Sequence, residues 1–385
     1  MKRKTGIIVL SIVLVLLVVA LVIGLTGSET GRTIQSETIK IGATFPLSGQ
    51  YSFVGQDMLN AMNLAIEEIN IKGGIAGKEL VIIAEDNKGD ATEANTNVNK
   101  LINLDKTEII FSTYTHITEA IKKPIFDANK ILIYASTVSN IAREDEYAFR
   151  DYFDATDNGI AVAQKVKKLG INKVYFLTEV SSQCLEYTEA FEKEATNLGI
   201  TIIKKEEFQV TDTSLKTNLL KLGLSKEDKL VTCTWRHEHI LMKEMKELGL
   251  IEVQTFHWVA PFFEISNTAE MKELYEENKA ISAWYGLAEV SEKDLQKQFI
   301  KKYEEKYGNT PSPNAAYAYD DMKLLSQALN ACNGNAKNKD CISSYLKEKT
   351  YDGVGGELYF DKNGVSRREV LFIQVMDGQW KEIGF

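Results

Sequence analysis

Residues 39–80 read IKIGATFPLSGQYSFVGQDMLNAMNLAIEEINIKGGIAGKEL. The apolar run at 39–44 predicts a buried strand, and a loop containing Pro46, Ser48 and Gly55 follows it. Apolar side chains then recur at three- and four-residue spacing, which predicts an amphipathic helix over residues 56–70 that stops at Gly73-Gly74. A second strand at 80–84 completes a βαβ unit. Because such units bind ligands at the carboxyl ends of their strands, the 46–55 loop is a candidate ligand loop.

The rest of the chain repeats this alternation of short apolar runs and longer helical patterns. That alternation is typical of a doubly wound parallel sheet. The pattern restarts after residues 153–157, so the sequence predicts two α/β lobes of similar size. Later segments fit the second lobe less well. Residues 353–360 and 370–375, around a turn at 361–364, are expected to form a hairpin.

Residues 1–30 form a separate segment. A basic start, MKRK, precedes an apolar run at 7–25 that is long enough to span a bilayer. The sequence favours an uncleaved single-pass N-terminal membrane anchor over a cleaved signal peptide, which would leave a secreted or periplasmic protein. The basic flank predicts that the body lies outside the cytoplasm. The formal net charge of −9 argues against nucleic-acid binding.

Four cysteines are too few for a disulfide scaffold. Outside the cell, Cys332 and Cys341 could close a small loop, whereas Cys184 and Cys233 are predicted to be single thiols. The acidic pairs Glu67-Glu68 and Asp320-Asp321 are expected on solvated faces. Cys233, His237 and His239 offer no fourth ligand, so no metal site is predicted. No motif for a phosphate loop or a catalytic triad occurs, which disfavours an enzyme.

An ordered set of segments resembles the type I periplasmic binding proteins, specifically the leucine/isoleucine/valine-binding branch that serves ABC importers. The similarity extends over residues 38–385. Its motifs are the first strand and loop, the helix end with Asn70 and Gly73, the second strand with its acidic turn, a strand loop, a late Ala/Tyr helix and a late turn. These segments are residues 39–49, 65–77, 80–90, 131–139, 314–321 and 356–364.

The resemblance implies an α/β fold of two doubly wound parallel-sheet lobes joined by a three-strand hinge. It divides the chain into a leader at 1–30, a first lobe at 38–156 with 287–346, and a second lobe at 157–286 with 347–385. It also implies no enzymatic activity and no cofactor. The expected ligand is a small amino acid of the branched-chain type, or a related small solute, delivered to a membrane permease and ATPase. The alternative is a membrane-tethered sensor domain coupled to a signalling partner.

The resemblance places candidate ligand-binding residues on loops of both lobes. The first lobe is expected to supply hydroxyl, backbone and aromatic groups from Ser48, Tyr51, Phe53, Thr115, His116, Ala135, Ser136, Thr137 and Ser139. The second lobe is expected to supply Gln183, Trp235 and Glu264. His116 stands where the family usually has a serine, and Glu264 lies three positions beyond Pro261, where an acid is expected. Arg236 could instead meet an anionic group. Each residue could also belong to an ordinary turn or helix cap.

Overall fold

The computed structural model describes residues 38–49, 51–137, 140–234, 237–259, 268–284, 293–368 and 370–384. The predicted leader at 1–30 and the predicted site residues Ser139, Trp235 and Glu264 lie outside these residues. Among the described helices, none has both the length and the apolar character needed to cross a membrane.

The opening stretch folds as the predicted βαβ unit. Strand β1 is Thr38–Phe45, helix α1 is Ser52–Ile71 and strand β2 is Glu79–Asp86. The helix begins four positions before the prediction because the loop-like residues Ser52–Gly55 form its first turn. Gly55 permits this start, since a Cβ there would overlap the carbonyl oxygen of Pro46. At the other end, the Gly74 N–H donates to the Ile69 carbonyl, so the predicted glycine stop is confirmed.

A wholly parallel sheet is built on this unit. Its strands run in the order β2-β1-β3-β4-β5, and helices alternate with them along the chain. The added elements are β3 (Ile109–Thr113), α2 (Ala91–Asn103), α3 (Thr115–Asp127), β4 (Ile131–Ala135), a 3₁₀ turn (Asn140–Arg143) and β5 (Ala148–Arg150). The strands β3 and β4 are buried at every position, which matches their continuous apolar sequences.

A second sheet follows, and its first strands are again parallel. Helix α4 (Ala155–Lys168) packs closely on helix α5 (Ser182–Leu198), where Gly159 leaves no room for a Cβ against the Tyr187 carbonyl. The remaining elements are β6 (Lys173–Glu179), β7 (Thr201–Phe208), α6 (Lys216–Leu222), β8 (Lys229–Cys233), α7 (Glu238–Glu247), β9 (Gln254–His257), α8 (Ala269–Asn278) and β10 (Ile281–Trp284).

The late segments divide between the two sheets. Helices α9 (Asp294–Tyr307), α10 (Pro313–Ala331) and α11 (Lys339–Glu348) pack with α1 and the first sheet. Strands β11 (Tyr351–Gly353), β12 (Gly356–Phe360) and β13 (Ser366–Arg367) form a small antiparallel sheet, and Leu358 and Phe360 belong to the same core. Strands β14 (Leu371–Met376) and β15 (Gln379–Glu382) add an antiparallel edge to the second sheet, whose order is β15-β14-β10-β9-β8-β6-β7.

Three sequence-based expectations are wrong. The predicted hairpin of 353–360 with 370–375 does not form, because β12 pairs with β13 and β14 pairs with β10. Asp320 and Asp321 are buried rather than solvated. Cys184 and Cys233 are joined by a disulfide rather than being single thiols, because the start of α5 lies against the end of β8. The suggested Cys332–Cys341 disulfide is present.

Candidate functional site

The carboxyl ends of the first sheet carry the predicted first-lobe site residues. Ser48 lies in the loop after β1, and its hydroxyl donates to Asp86 Oδ2 at the end of β2 over 2.6 Å. The Leu47 N–H donates to the other carboxylate oxygen over 2.8 Å. Burial alone would raise the pKa of Asp86, but the hydrogen bonds from Ser48, Lys88 and Leu47 outweigh it and hold that pKa below its ordinary value. The ionised Asp86 carboxylate therefore holds the loop that follows β1 through its hydrogen bonds to Ser48 and Leu47.

Two predicted hydroxyl residues meet between the ends of β3 and β4. The hydroxyl oxygens of Thr115 and Ser136 lie 2.7 Å apart, and Ser136 is buried. The Ala135 carbonyl accepts from the Tyr114 N–H over 3.0 Å and from the Thr113 hydroxyl over 3.2 Å. The structure thus brings Thr115, Ala135 and Ser136 into one polar cluster at this edge, with Thr137 next in sequence.

Arg150, at the end of β5, fixes the backbone of this cluster. Its Nε donates to the Ser136 carbonyl over 2.6 Å, and its Nη2 donates to the Thr137 carbonyl over 3.1 Å. The same guanidinium reaches forward along the chain, to the Phe153 carbonyl at 2.6 Å and to Asp154 Oδ2 at 3.1 Å. Since the side chain is fully buried, these bonds replace the water it has lost. Arg150 therefore ties the loop after β4 to the segment that enters the second sheet.

An aromatic cluster lies beside the hydroxyl groups. The ring of Tyr51 is 5.1 Å from that of Tyr114 and 6.3 Å from that of His116, measured between centroids. Tyr51 also packs over Gly89, and His116 Nε2 is 3.3 Å from the Gly89 carbonyl oxygen. The fold therefore brings Tyr51 and His116 together, although they are far apart in the sequence. Phe53, in the first turn of α1, is 52% exposed.

Tyr114 has a backbone conformation that non-glycine residues rarely adopt. Its φ is +64° and its ψ is 136°. Such a conformation costs on the order of 1–3 kcal/mol and persists only where the surrounding contacts enforce it. The hydrogen bond from its N–H to Ala135 and the packing against Tyr51 supply such contacts. Because strained backbone often occurs at functional sites, Tyr114 is a candidate functional residue.

The carboxyl ends of the second sheet present a different set of groups. Gln183 lies in the first turn of α5, half-buried, and its Oε1 accepts from the Ser182 hydroxyl over 3.2 Å. Glu179, the last residue of β6, is buried, and its Oε2 lies 3.1 Å from His237 Nδ1. This hydrogen bond raises the pKa of His237 against the opposing effect of burial. The Glu179 carboxylate is therefore engaged by the protein.

One helix of the second sheet lies near the loops at the carboxyl edge of the first sheet. The chain leaves β5 and enters α4 within a few residues, and the Asn158 amide there donates to the Trp258 carbonyl beyond β9 over 2.6 Å. Glu186 lies on α5, and its side chain as a whole is exposed. Partial loss of hydration around its carboxyl and the nearby Asp154 charge raise the pKa of that group. The charges of Arg150 and Arg143 oppose that rise. A second-sheet helix therefore lies within electrostatic range of the loops that follow β4 and β5.

Three residues at this site were missed by reasoning from the sequence. Arg150 could have been noticed as a basic residue that ends an apolar strand, in the segment AFRDYFD. Tyr114 was part of a predicted loop, but nothing in the sequence signals its positive φ. Glu186 is one of several acids in its helix and carries no local signal. In the part of the chain that the structure describes, no group of His, Cys, Asp and Glu side chains is arranged to hold a metal ion.

Two mainly parallel α/β sheets joined by crossing segments are the architecture of periplasmic solute-binding proteins. The profile of the family described as "Periplasmic binding protein" matches residues 38–379. The chain belongs to this family, whose members bind solutes and catalyse no reaction.

Curated relatives and solved structures agree with this assignment. The Leu/Ile/Val-binding protein homolog 7 of Brucella suis is 23% identical over 376 residues, which cover 91% of each chain. The leucine-binding protein LivK of Thermotoga maritima superposes with a TM-score of 0.71 at 20% identity, covering 90% of this chain and 98% of that one. The branched-chain amino acid transporter substrate-binding protein LivJ of Streptococcus pneumoniae, in complex with isoleucine, gives 0.69 at 24% identity, with 90% and 99% covered.

A solved structure with a different ligand shares the fold. A solute-binding protein of an ABC transporter from R. palustris, in complex with benzoate, superposes with a TM-score of 0.72 at 15% identity. The superposition covers 90% of this chain and 96% of the R. palustris protein.

Proposed function

We propose that the protein is the extracytoplasmic solute-binding component of an ABC importer. Its solute is a small amino acid of the branched-chain type or a related small molecule, bound between the loop edges of the two sheets. The observation that supports this most strongly is the rigid polar cluster of Thr115, Ser136 and Arg150 at the first edge. The names of the Brucella and Thermotoga relatives favour leucine-like solutes.

The first edge is proposed to hold the polar head of the solute. Ser136 and Thr137 offer hydroxyl groups, and hydrogen bonds from pre-ordered groups cost little entropy on binding. Tyr51 and His116 are proposed to line the wall beside them. The second edge contributes Gln183, together with the predicted Trp235 and Glu264. Glu186 is a further acid that could meet an ammonium group from this side.

The proposal includes two lobes that close about the crossing segments. The contacts of the described residues support one change to the predicted boundaries. Residues 351–360 contribute to the core beneath the first sheet, whereas β14 pairs with the second. We therefore propose that the third crossing lies near Arg368, rather than between residues 346 and 347 as the resemblance implied. Closure about such crossings is a common way to trap a ligand.

Delivery to a membrane permease and its ATPase is the remaining part of the proposal. Residues 1–30 are proposed to anchor the protein on the outer side of the membrane, as the sequence suggests. The two disulfides fit an oxidising compartment. The N-terminal sequence of the native protein tests the anchor: residues 1–25 should be intact in the membrane fraction. A mature N-terminus near Ser28 in the soluble fraction would show cleavage.

The decisive experiment is a thermal-shift screen of the full chain. The panel contains the branched-chain amino acids, other small amino acids, their amides and small carboxylates, including benzoate. A bound solute stabilises the folded state by an amount that grows with its concentration above Kd, about 2.7 kcal/mol at a hundredfold excess. We expect leucine, isoleucine or valine to raise the midpoint temperature of thermal unfolding. If only carboxylates without an amino group did so, the amino-acid assignment would be wrong.

A further inference from the structure

A disulfide joins a helix start to a strand end at the carboxyl edge of the second sheet. Cys184 lies in the first turn of α5, one residue after Gln183, and Cys233 is the last residue of β8. The strands β6 and β8 are neighbours, with Thr178 paired to Cys233. The bond therefore links the segment after β6 to the end of the adjacent strand, at the carboxyl edge of the second sheet.

Among the described residues, no side chain caps the start of α5. Ser181 precedes the helix, but within the part of the chain that the structure describes its side chain makes no capping hydrogen bond and its buried hydroxyl oxygen has no partner. A helix start usually relies on such a cap to satisfy its free N–H groups. The backbone before the helix is held by hydrogen bonds from the Val180 N–H to the Phe208 carbonyl over 2.8 Å and from the Ser181 N–H to the Glu179 carbonyl over 3.0 Å. The covalent bond at Cys184 supplies the missing restraint.

The end of β8 is held more firmly, which makes it a suitable anchor. The indole N–H of Trp258 donates to the Thr234 carbonyl over 2.8 Å. His237, three residues further on, bridges Glu179 and the Asp212 carbonyl. The disulfide thus ties a helix start without a side-chain cap to a strand end that side chains hold in place.

We infer that the Cys184–Cys233 disulfide is a positioning element of the solute site. It fixes the loop that carries Gln183 relative to the end of β8, so that this edge meets the solute already ordered. This inference rests on the proposed function. Without the bond, the loop samples more conformations, and binding must then restrict them at the expense of affinity.

The second disulfide provides a matched control within the same chain. Cys332 and Cys341 join the end of α10 to α11. Gly334, in the loop between them, packs near Ala76 and Ile39 at the start of β1. That is the opposite edge of the first sheet from Ser136. This disulfide should support folding without ordering the solute site.

The test compares the full chain with two double variants, Cys184→Ala/Cys233→Ala and Cys332→Ala/Cys341→Ala. Amide hydrogen exchange is measured on the solute-free proteins, and leucine affinity is measured by calorimetry well below every unfolding midpoint. We expect faster exchange over residues 180–187 and about tenfold weaker leucine binding only in the first variant. The inference would be overturned if the first variant exchanged its amides over residues 180–187 as slowly as wild type does, or if it bound leucine with unchanged affinity.

A reductant gives a second route if the first variant does not fold. In Cys332→Ala/Cys341→Ala protein, dithiothreitol transfers two electrons and two protons to the remaining disulfide, giving two thiols and cyclic oxidised dithiothreitol. The same local rise in exchange is expected in the folded, reduced protein. If the wild-type protein binds neither an amino acid nor any other solute of the thermal-shift panel, the proposed function is wrong. The exchange result then decides by itself whether the disulfide positions the loop.

Discussion

Arg150 holds the candidate site together at the scale of a single side chain. Its buried guanidinium bonds three carbonyl oxygens and the Asp154 carboxylate. The Asp154 carboxylate also caps α4 by accepting from the N–H groups of Thr156 and Asp157. Removal of the arginine would take one donor from each of three carbonyl groups and the counter-ion from the Asp154 carboxylate.

We therefore predict that Arg150→Met lowers the free energy of unfolding by about 3 kcal/mol, the usual cost of removing one member of a buried ion pair. Urea denaturation at neutral pH measures the change. The control is Arg143→Met, because Arg143 is exposed in the turn before β5 and should cost below about 0.5 kcal/mol. Equal losses in both variants would contradict the assignment of Arg150 as the organising residue.

Ser136 and Thr137 allow a direct test of the proposed solute contact. Ser136→Ala with Thr137→Ala removes both hydroxyls but keeps the backbone carbonyls that Arg150 binds. We expect a stability loss of about 1 kcal/mol and no thermal shift with leucine. The control Ser326→Ala removes a buried hydroxyl that donates to the Lys323 carbonyl on α10, and should retain the leucine shift. A full shift in the double variant would remove these residues from the site.

At the scale of elements, α1 is tied to two later helices by one carboxylate. Glu68 accepts from Lys302 on α9 at 2.6 Å, from Lys323 on α10 at 2.7 Å and from Tyr319 at 2.5 Å. Burial alone would raise the pKa of Glu68, but these three donors lower it to about 2. The stabilisation is therefore present above the unfolded pKa of about 4.5 and is lost as the pH falls towards 2.

We predict that Glu68→Gln lowers the free energy of unfolding at pH 7 by about 1–2 kcal/mol, a value reduced for solvent screening because the site is partly exposed. The difference between variant and wild type should narrow as the pH falls from 4 to 2.5. The adjacent Glu67 pairs with Lys306 on the exposed face and is the matched control. Glu67→Gln should cost below about 0.5 kcal/mol. Urea midpoints across this pH range measure both variants.

The elements show what a single sequence can predict. The βαβ unit was predictable because its apolar spacing and its Gly-Gly stop are local signals. The partner of residues 371–376 was not, because any apolar strand after a turn suggests a hairpin, whereas β14 pairs with a strand formed some ninety residues earlier. Pairing between distant segments depends on which edge is open in the folded protein. The Cys184–Cys233 bond was missed for the same reason.

At the scale of the whole molecule, two adjacent arginines hold the third crossing between the sheets. Arg367 donates to Asp157 on α4 at 2.8 Å and to Asp361 at 3.2 Å. Arg368 is buried and binds Asp151 at 2.5 Å and Asp320 at 3.2 Å. The resemblance to a known family predicted a third crossing between lobes, but placed it between residues 346 and 347. It did not predict the charged cluster, because Asp320 and Asp321 look like solvated acids in the sequence.

Asp320 makes this crossing sensitive to pH. Burial raises its pKa to about 6, against the opposing effects of Arg368 and of the N–H groups of Gly355 and Val354. The folded state therefore holds a proton that the unfolded chain releases near pH 3.8. Between these two values the folded state binds more protons, so the free energy of unfolding falls as the pH rises. The full change from this group is about 3 kcal/mol.

We predict that Asp320→Asn removes this slope, since its amide cannot ionise but can still accept from the Val354 or Gly355 N–H. Wild type loses stability between pH 4 and pH 7, whereas the variant should not. The free energy of unfolding of the variant minus that of wild type should therefore be more negative at pH 4 than at pH 7, by up to about 3 kcal/mol. Urea unfolding at pH 4, 5, 6 and 7 measures the difference. The control Asp352→Asn lies on the exposed side of β11 and should change stability by less than about 0.5 kcal/mol throughout. A pH-independent difference between wild type and Asp320→Asn would mean that the crossing is held by its hydrogen-bond geometry alone, with Asp320 charged across the whole range.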